Sequence, residues 1–369
     1  MKILQRVKQK MGSGKRGLLL AQMIAAVFSS SLAWGNAQAA GDSPIAIAVH
    51  GGAGTILKKD LSEEKRAGIK ADLQRAVEAG HAVLKKGGTS VDAVQAAILI
   101  LEDSAYFNAA KGAVLNEDGE VELDASIMQG DDRNAGAIAG VHGVRNPILL
   151  ARQVMEHSPH VLLAGRGAEQ FARQRGIQFE DSAYFKTPFR VEQWERLTKE
   201  RQTKIHHVRD QLAPVMASSV RPASYPDAWF STVGAVALDQ HGHLAAGTST
   251  GGTALKRWGR IGDSPIIGSG TYAQDGVCAV SATGHGEYFI RASVAHDICA
   301  RVRHAGMTVK QAADQVVMQD LVDMGGEGGV ITVSADGKVA MPFNTAGMYR
   351  AAIHADGRLE VAIHRDDES

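Results

Sequence analysis

The stretch Phe230-Ser231-Thr232-Val233-Gly234-Ala235-Val236-Ala237-Leu238-Asp239 constrains this chain most. A small polar pair passes directly into a β-branched, apolar run, the pattern of a buried strand. A hydroxyl residue therefore stands at the mouth of that strand. If the chain broke between Ser231 and Thr232, Thr232 would carry a free α-amino group beside its own hydroxyl. Nucleophile and base would then sit in one residue. The other reading of this stretch is a threonine that merely opens a strand, as β-branched residues often do.

The 369 residues suffice for one large mixed α/β domain or two smaller ones. The 41 glycines cluster between apolar runs, which predicts many tight junctions between strands and helices. Residues 1–39 have six basic side chains, no acid, an apolar run from Leu18 to Val27 and the ending Ala37-Gln38-Ala39. That is the three-part pattern of a secretory signal peptide, and its apolar run is short for a membrane span. A periplasmic or secreted protein is expected. Losing the leader turns 40 basic against 40 acidic residues into 34 against 40, a formal charge of −6. Nothing in that balance favours nucleic acid or an anionic membrane. Cys278 and Cys299 show no zinc-type spacing; they could pair in an oxidising compartment, but two cysteines make no disulfide framework and buried free thiols are the favoured reading.

Ile45–Val49 reads as a buried strand ending in the Gly-rich turn His50-Gly51-Gly52-Ala53-Gly54. The turn lacks the endings of a phosphate or dinucleotide loop, and His50 reads as a satisfied interior histidine. Helical period over Glu63–Lys86 and a capped second helix from Thr89 to Leu101 imply a helical layer on a sheet. Antiparallel strands are predicted over 122–128 and 135–141, and helices over 147–155 and 167–175. From about Val191 a charged, solvated helix gives way to a flexible linker that ends just before Ser231-Thr232. A hairpin turn at Asp239–His243, with His241 and His243 solvated, brings Thr250 back beside Thr232.

Arg260 and Asp263 share a loop and could clamp the carboxylate and ammonium of an amino acid, or form a surface ion pair. A strand over Val277–Ala282 runs into Thr283-Gly284-His285-Gly286-Glu287 and a helix over Tyr288–Arg303. That junction suits an oxyanion, or an ordinary N-cap at Thr283. Thr308 and Gln311 cap one more helix, before strands at 330–334 and 339–341.

Together these segments resemble the plant-type L-asparaginase / isoaspartyl peptidase family of threonine N-terminal-nucleophile hydrolases. The resemblance is carried by His50–Gly54, Phe107-Asn108-Ala109, Gly136–Gly140 with Arg145-Asn146-Pro147, and Thr232–Val236. It continues through Thr248–Gly252, Gly259–Pro265, Thr283–Glu287 and Phe343–Arg350, covering roughly residues 45–188 and 229–362. It implies an α+β fold, a four-layer αββα sandwich, self-cleaved into subunits 40–231 (with a linker over about 191–231) and 232–369. Thr232 is then the nucleophile, its amine the base, Thr250 the hydroxyl that orients it, and Thr283 with the Gly284 N–H the oxyanion donors. Arg260, Asp263 and Gly286 would hold the α-carboxylate and α-amine of a small-molecule or dipeptide substrate. No cofactor is implied for catalysis. The backbone carbonyls of Leu101, Glu102, Ser104, Phe107, Ala109 and Lys111, in the loop that contains Asn108, would hold a structural sodium ion. A dimer of αβ units is expected.

Two residues depart from the family pattern: Ser231 replaces the usual Gly or Asp before the nucleophile, and Lys111 replaces an apolar residue. The first predicts slower self-cleavage, since a strained backbone is easiest at Gly. The second places an ammonium where it could compete with the ion. Hydrolysis of β-aspartyl dipeptides and L-asparagine is the leading expectation. The alternatives are a glycosylasparaginase and a secreted acidic-amino-acid binding protein without chemistry.

Overall fold

The computed structural model describes residues 44–212 and 232–367, all within the unit Ser43–Ser369. The expected leader (1–39), the end of the expected linker and Ser231 lie outside the described residues. In chain order the elements are β1 (Ala46–Gly54), α1 (Glu63–Lys85), α2 (Ser90–Glu102), β2 (Leu123–Gln129), β3 (Ala135–Val141), α3 (Pro147–His157), β4 (Leu162–Ala164), α4 (Gly165–Gln174), α5 (Ser182–Phe185) and α6 (Pro188–Leu212). After the undescribed segment come β5 (Val233–Leu238), β6 (Leu244–Thr250), β7 (Thr271–Gln274), β8 (Cys278–Gly284), α7 (Gly286–Ala292), α8 (Val294–Ala305), α9 (Val309–Gln315), α10 (Leu321–Met324), β9 (Gly328–Ser334), β10 (Val339–Ala340), β11 (Gly347–Ile353) and β12 (Leu359–Ala362). None of the described helices is long and apolar enough to cross a membrane.

The strands form two sheets, ordered β12-β11-β1-β5-β6-β2-β3-β4 and β10-β9-β8-β7. Alternation along each strand divides the core in two. On β5, Val233, Ala235 and Ala237 face helices α1 and α2 in one cluster, while Val236 and Leu238 face the second sheet in the other. The second cluster also takes in Ile298 and Cys299 of α8 and Ala312 of α9. Three helices begin where short polar side chains satisfy free N–H groups: Ser62 for α1, Thr89 for α2, and a full capping box of Thr308 and Gln311 for α9.

Three expectations need correction. The Gly-rich segment after Val49 is not a turn, because β1 continues to Gly54 and pairs with β11 past a bulge between His50 and Gly52. The helix expected over 288–303 is two helices, broken at Ser293, whose φ is +49°. Finally, Cys278 and Cys299 are joined as a disulfide. Packing of α8 onto β8 brings their Cα atoms to 5.6 Å, within bridging range.

Candidate active site

The hairpin β5–β6 pairs Val233 with Ser249 and Leu238 with Leu244. Continued by one residue, that register sets Thr232 against Thr250. The two hydroxyls meet at 3.1 Å, and Thr250 Oγ1 also accepts the Gly252 N–H at 3.0 Å. Thr232 is nearly buried, at 7% exposure, on the side of its sheet that faces β8. There Thr283 lies at the end of β8, its Oγ1 accepting the Ala53 N–H at 3.3 Å. Gly284 follows, and a Cβ on it would stand 2.4 Å from the Glu327 carbonyl and 2.6 Å from the Phe289 ring. Only glycine fits there.

The structure brings Arg260, Asp263 and Gly286 together as expected. A Cβ on Gly286 would lie 2.9 Å from both Arg260 Nη2 and Asp263 Oδ1, and one on Gly252 would lie 3.4 Å from Arg260 Nη1. Glycines thus clear the space around the charged pair and join it to the threonine end of β6. Burial pushes the Asp263 carboxyl up to about 7, with the Arg260 guanidinium pulling the other way. Asp263 Oδ2 is buried and has no hydrogen-bond partner among the described residues. An unpaired buried oxygen of this kind suits a cationic guest. Arg260 stays charged: burial opposes its charge, but Glu287 outweighs that with contacts of 3.0 Å to Nε and 3.0 Å to Nη2. Its Nη1 edge, toward Gly252 and Gly262, takes no part in that pair.

The loop after α2 is fastened to the same site. Asn108 donates to the Gly252 carbonyl at 2.7 Å, and its own carbonyl accepts the Gly251 N–H at 3.1 Å. Within the loop, a Cβ on Gly112 would stand 2.2 Å from the Phe107 carbonyl oxygen and 3.0 Å from those of Ser104 and Ala105. The carbonyl oxygens of Phe107, Ser104 and Ala105 thus crowd one side of Gly112 and leave no room for a side chain there. The ammonium of Lys111 lies 5.5 Å from the centre of the Tyr184 ring.

Several partners were missed from sequence. Glu287 was placed in the helix-start motif but not on Arg260. Asp124 lies opposite Thr250 across β2 and β6, its carboxyl raised by burial with Lys256 opposing, and its Oδ1 accepts the Gly140 N–H at 2.8 Å. Lys256 is itself buried and donates to the Glu122 carbonyl at 3.0 Å. The motif Glu122-Leu123-Asp124 gave no signal beyond an alternating strand. His50 is interior and satisfied, as expected, but one of its partners is the carbonyl of Thr232, at 2.9 Å.

Similarity to known proteins identifies the family. The family model described as asparaginase matches residues 43–363. Isoaspartyl peptidase of Escherichia coli is 44% identical over 320 residues, 87% of this chain and 96% of that protein. Isoaspartyl peptidase/L-asparaginase of Mus musculus is 40% identical over 322 residues, covering 87% and 91%. Plant-type L-asparaginase of Pyrococcus furiosus is 43% identical over 307 residues, covering 82% and 94%. On the match over nearly all the described residues, this chain belongs to the asparaginase family of hydrolytic enzymes.

Proposed function

We propose that the protein is a self-cleaving amidohydrolase for β-aspartyl (isoaspartyl) dipeptides and L-asparagine, with Thr232 as its N-terminal nucleophile. The observation that carries this reading is the meeting of the Thr232 and Thr250 hydroxyls at 3.1 Å, directly after the Ser231–Thr232 bond. In maturation Thr232 Oγ1 attacks the Ser231 carbonyl carbon and the C–N bond breaks. Water then hydrolyses the resulting ester, leaving a free amine on Thr232. The products are subunits 40–231 and 232–369, which together form one αββα sandwich of four layers.

In turnover the amine takes the hydroxyl proton as Oγ1 attacks the substrate's side-chain carbonyl; the ordinary α-amino pKa of about 7.7–8.0 suits a base near neutral pH. Thr283 and the Gly284 N–H steady the oxyanion. Collapse expels ammonia or an amino acid and leaves an acyl-enzyme, which water cleaves to aspartate. Arg260 holds the α-carboxylate through its Nη1 edge, and Asp263 takes the α-ammonium beside Gly286. A structural sodium ion would be held by the carbonyls of Leu101, Glu102, Ser104, Phe107, Ala109 and Lys111. It would supply fixed positive charge that keeps the loop folded and leaves the chemistry to the chain's own residues. Two of those carbonyls, of Ser104 and Phe107, lie close together beside Gly112, which supports that reading, and the Lys111 ammonium lies 5.5 Å from the Tyr184 ring centre. The leader supports a periplasmic or secreted location, and the family a dimer of αβ units.

The test is a denaturing gel beside an assay. Wild type should run as two fragments, release ammonia from asparagine and hydrolyse β-Asp-Leu. Thr232→Ala should run as one band without activity. Wild type that stays intact and binds aspartate without turnover would leave only a binding protein.

A further inference from the structure

One step below the Thr232–Thr250 layer, a row of small polar residues crosses the first sheet. His50 faces Gly234, Gly234 faces Thr248, and Thr248 faces Ser126, on four neighbouring strands. The second sheet answers with Thr271 and Ser281, which face each other across β7 and β8. All these polar side chains have 0% exposure. They form one hydrogen-bonded seam between the sheets. Ser126 lies 2.8 Å from Thr271, Thr271 2.6 Å from Thr248, and Thr248 2.8 Å from Ser281. Ser281 lies 2.9 Å from His50 Nε2, and His50 Nδ1 lies 2.9 Å from the Thr232 carbonyl oxygen.

The direction of the seam follows from its last member. A carbonyl only accepts, so His50 Nδ1 carries the proton. Burial pushes the imidazole pKa down to about 3, the bond to Thr232 opposing, so the ring is neutral and Nε2 accepts from Ser281. The single Ser281 proton is spent there; beyond it, Thr248 can give its proton to Ser281 or to the Gly270 carbonyl at 3.1 Å, and Ser126 can give its own to Thr271 or to the Ser264 carbonyl at 2.6 Å. Gly234 makes the junction possible. A Cβ on it would stand 2.0 Å from Ser281 Oγ and 2.4 Å from His50 Nε2.

Apolar residues would fill this space without any such constraint, and half-satisfied buried hydroxyls are costly. A buried seam in which every hydroxyl has a partner, ending on the carbonyl of the attacking residue, has a use. We propose that His50 is a positioning residue for Thr232: the seam holds its ring as the Nδ1–H tautomer, and that N–H pins the Thr232 carbonyl so that the hydroxyl stays aimed. After cleavage Thr232 is a chain end, tethered on one side only, and the pin replaces the restraint lost with the peptide bond. This rests on Thr232 being the nucleophile.

The test joins a spectrum to kinetics. In protein labelled with ¹⁵N-histidine, the ring signal that shifts in Ser281→Ala belongs to His50. It should be the neutral Nδ1–H form from about pH 5 to 9. His50→Ala should lose about 10²-fold in kcat, with KM within about threefold. His50→Asn, whose amide N–H reaches the place of Nδ1, should recover at least about tenfold, while His50→Gln should not. An Nε2–H or titrating ring overturns the inference even if His50→Ala does not fold. So does unchanged kcat in His50→Ala, or a loss confined to KM. Full turnover by Thr232→Ala would instead sink the nucleophile reading and leave the tautomer result standing.

Discussion

Thr232 and Thr250 meet hydroxyl to hydroxyl at 3.1 Å, one residue beyond the outermost pair of the β5–β6 hairpin. Thr250 is fixed by the Gly252 N–H, so it constrains where the Thr232 oxygen points. Thr250→Ala should lower kcat by about 10²-fold with little change in KM, and Thr250→Ser should restore most of it. Steady-state kinetics on asparagine check this, and a change confined to KM would contradict it.

Gly286 leaves room for Arg260 and Asp263 to converge. In Gly286→Ala the new methyl would press on both charged groups from 2.9 Å. KM should rise more than about tenfold while the gel still shows two fragments, because in the proposed function the charged pair holds substrate and takes no part in self-cleavage.

Asp263 should shape the acid limb of the pH profile. Its carboxyl, raised by burial to about 7, takes up a proton below that pH and can no longer hold an ammonium. An α-amine ordinarily titrates at about 7.7–8.0, so in the proposed function the Thr232 amine should be lost as a base over the same range. Log kcat/KM should therefore fall with a slope approaching two on the acid side. In Asp263→Asn the slope should drop to about one.

Glu102 is a separate buried carboxyl, raised to about 8 by burial, with the bonds from Ser249 and Ile148 opposing. Oε1 accepts from Ser249 at 2.7 Å and from Ile148 N–H at 3.0 Å. The folded state holds the Glu102 proton where the unfolded chain has released it. Stability from this group is complete below about 4.5 and is lost as pH rises toward 8, by at most about 1.4 kcal/mol per pH unit. Melting temperature against pH should flatten over that window in Glu102→Gln.

The pairing of Thr232 with Thr250 was legible in the sequence because a short turn fixes register: residues 239–243 close the hairpin, and Thr250 then has to fall opposite Thr232. What failed depended on packing between distant segments. Gly51–Gly54 read as a turn, yet pairing with β11 extends the strand through them. Cys278 and Cys299 gave no hint of their distance, which follows from α8 lying on β8. The hydroxyl seam left a trace as polar residues two apart, at 124 and 126, 248 and 250, and 281 and 283. Period two marks a shared face but does not say which strands face each other. Only the stacking of the sheets joined Ser281 to His50.

The most direct measurement is the mass of each fragment in fully active enzyme, together with the chemistry of the second fragment's first residue. The prediction is a fragment of residues 232–369 whose Thr232 bears a free, reactive α-amine. Full turnover by a chain whose 231–232 peptide bond is intact, or by one whose Thr232 amine is blocked, would contradict it.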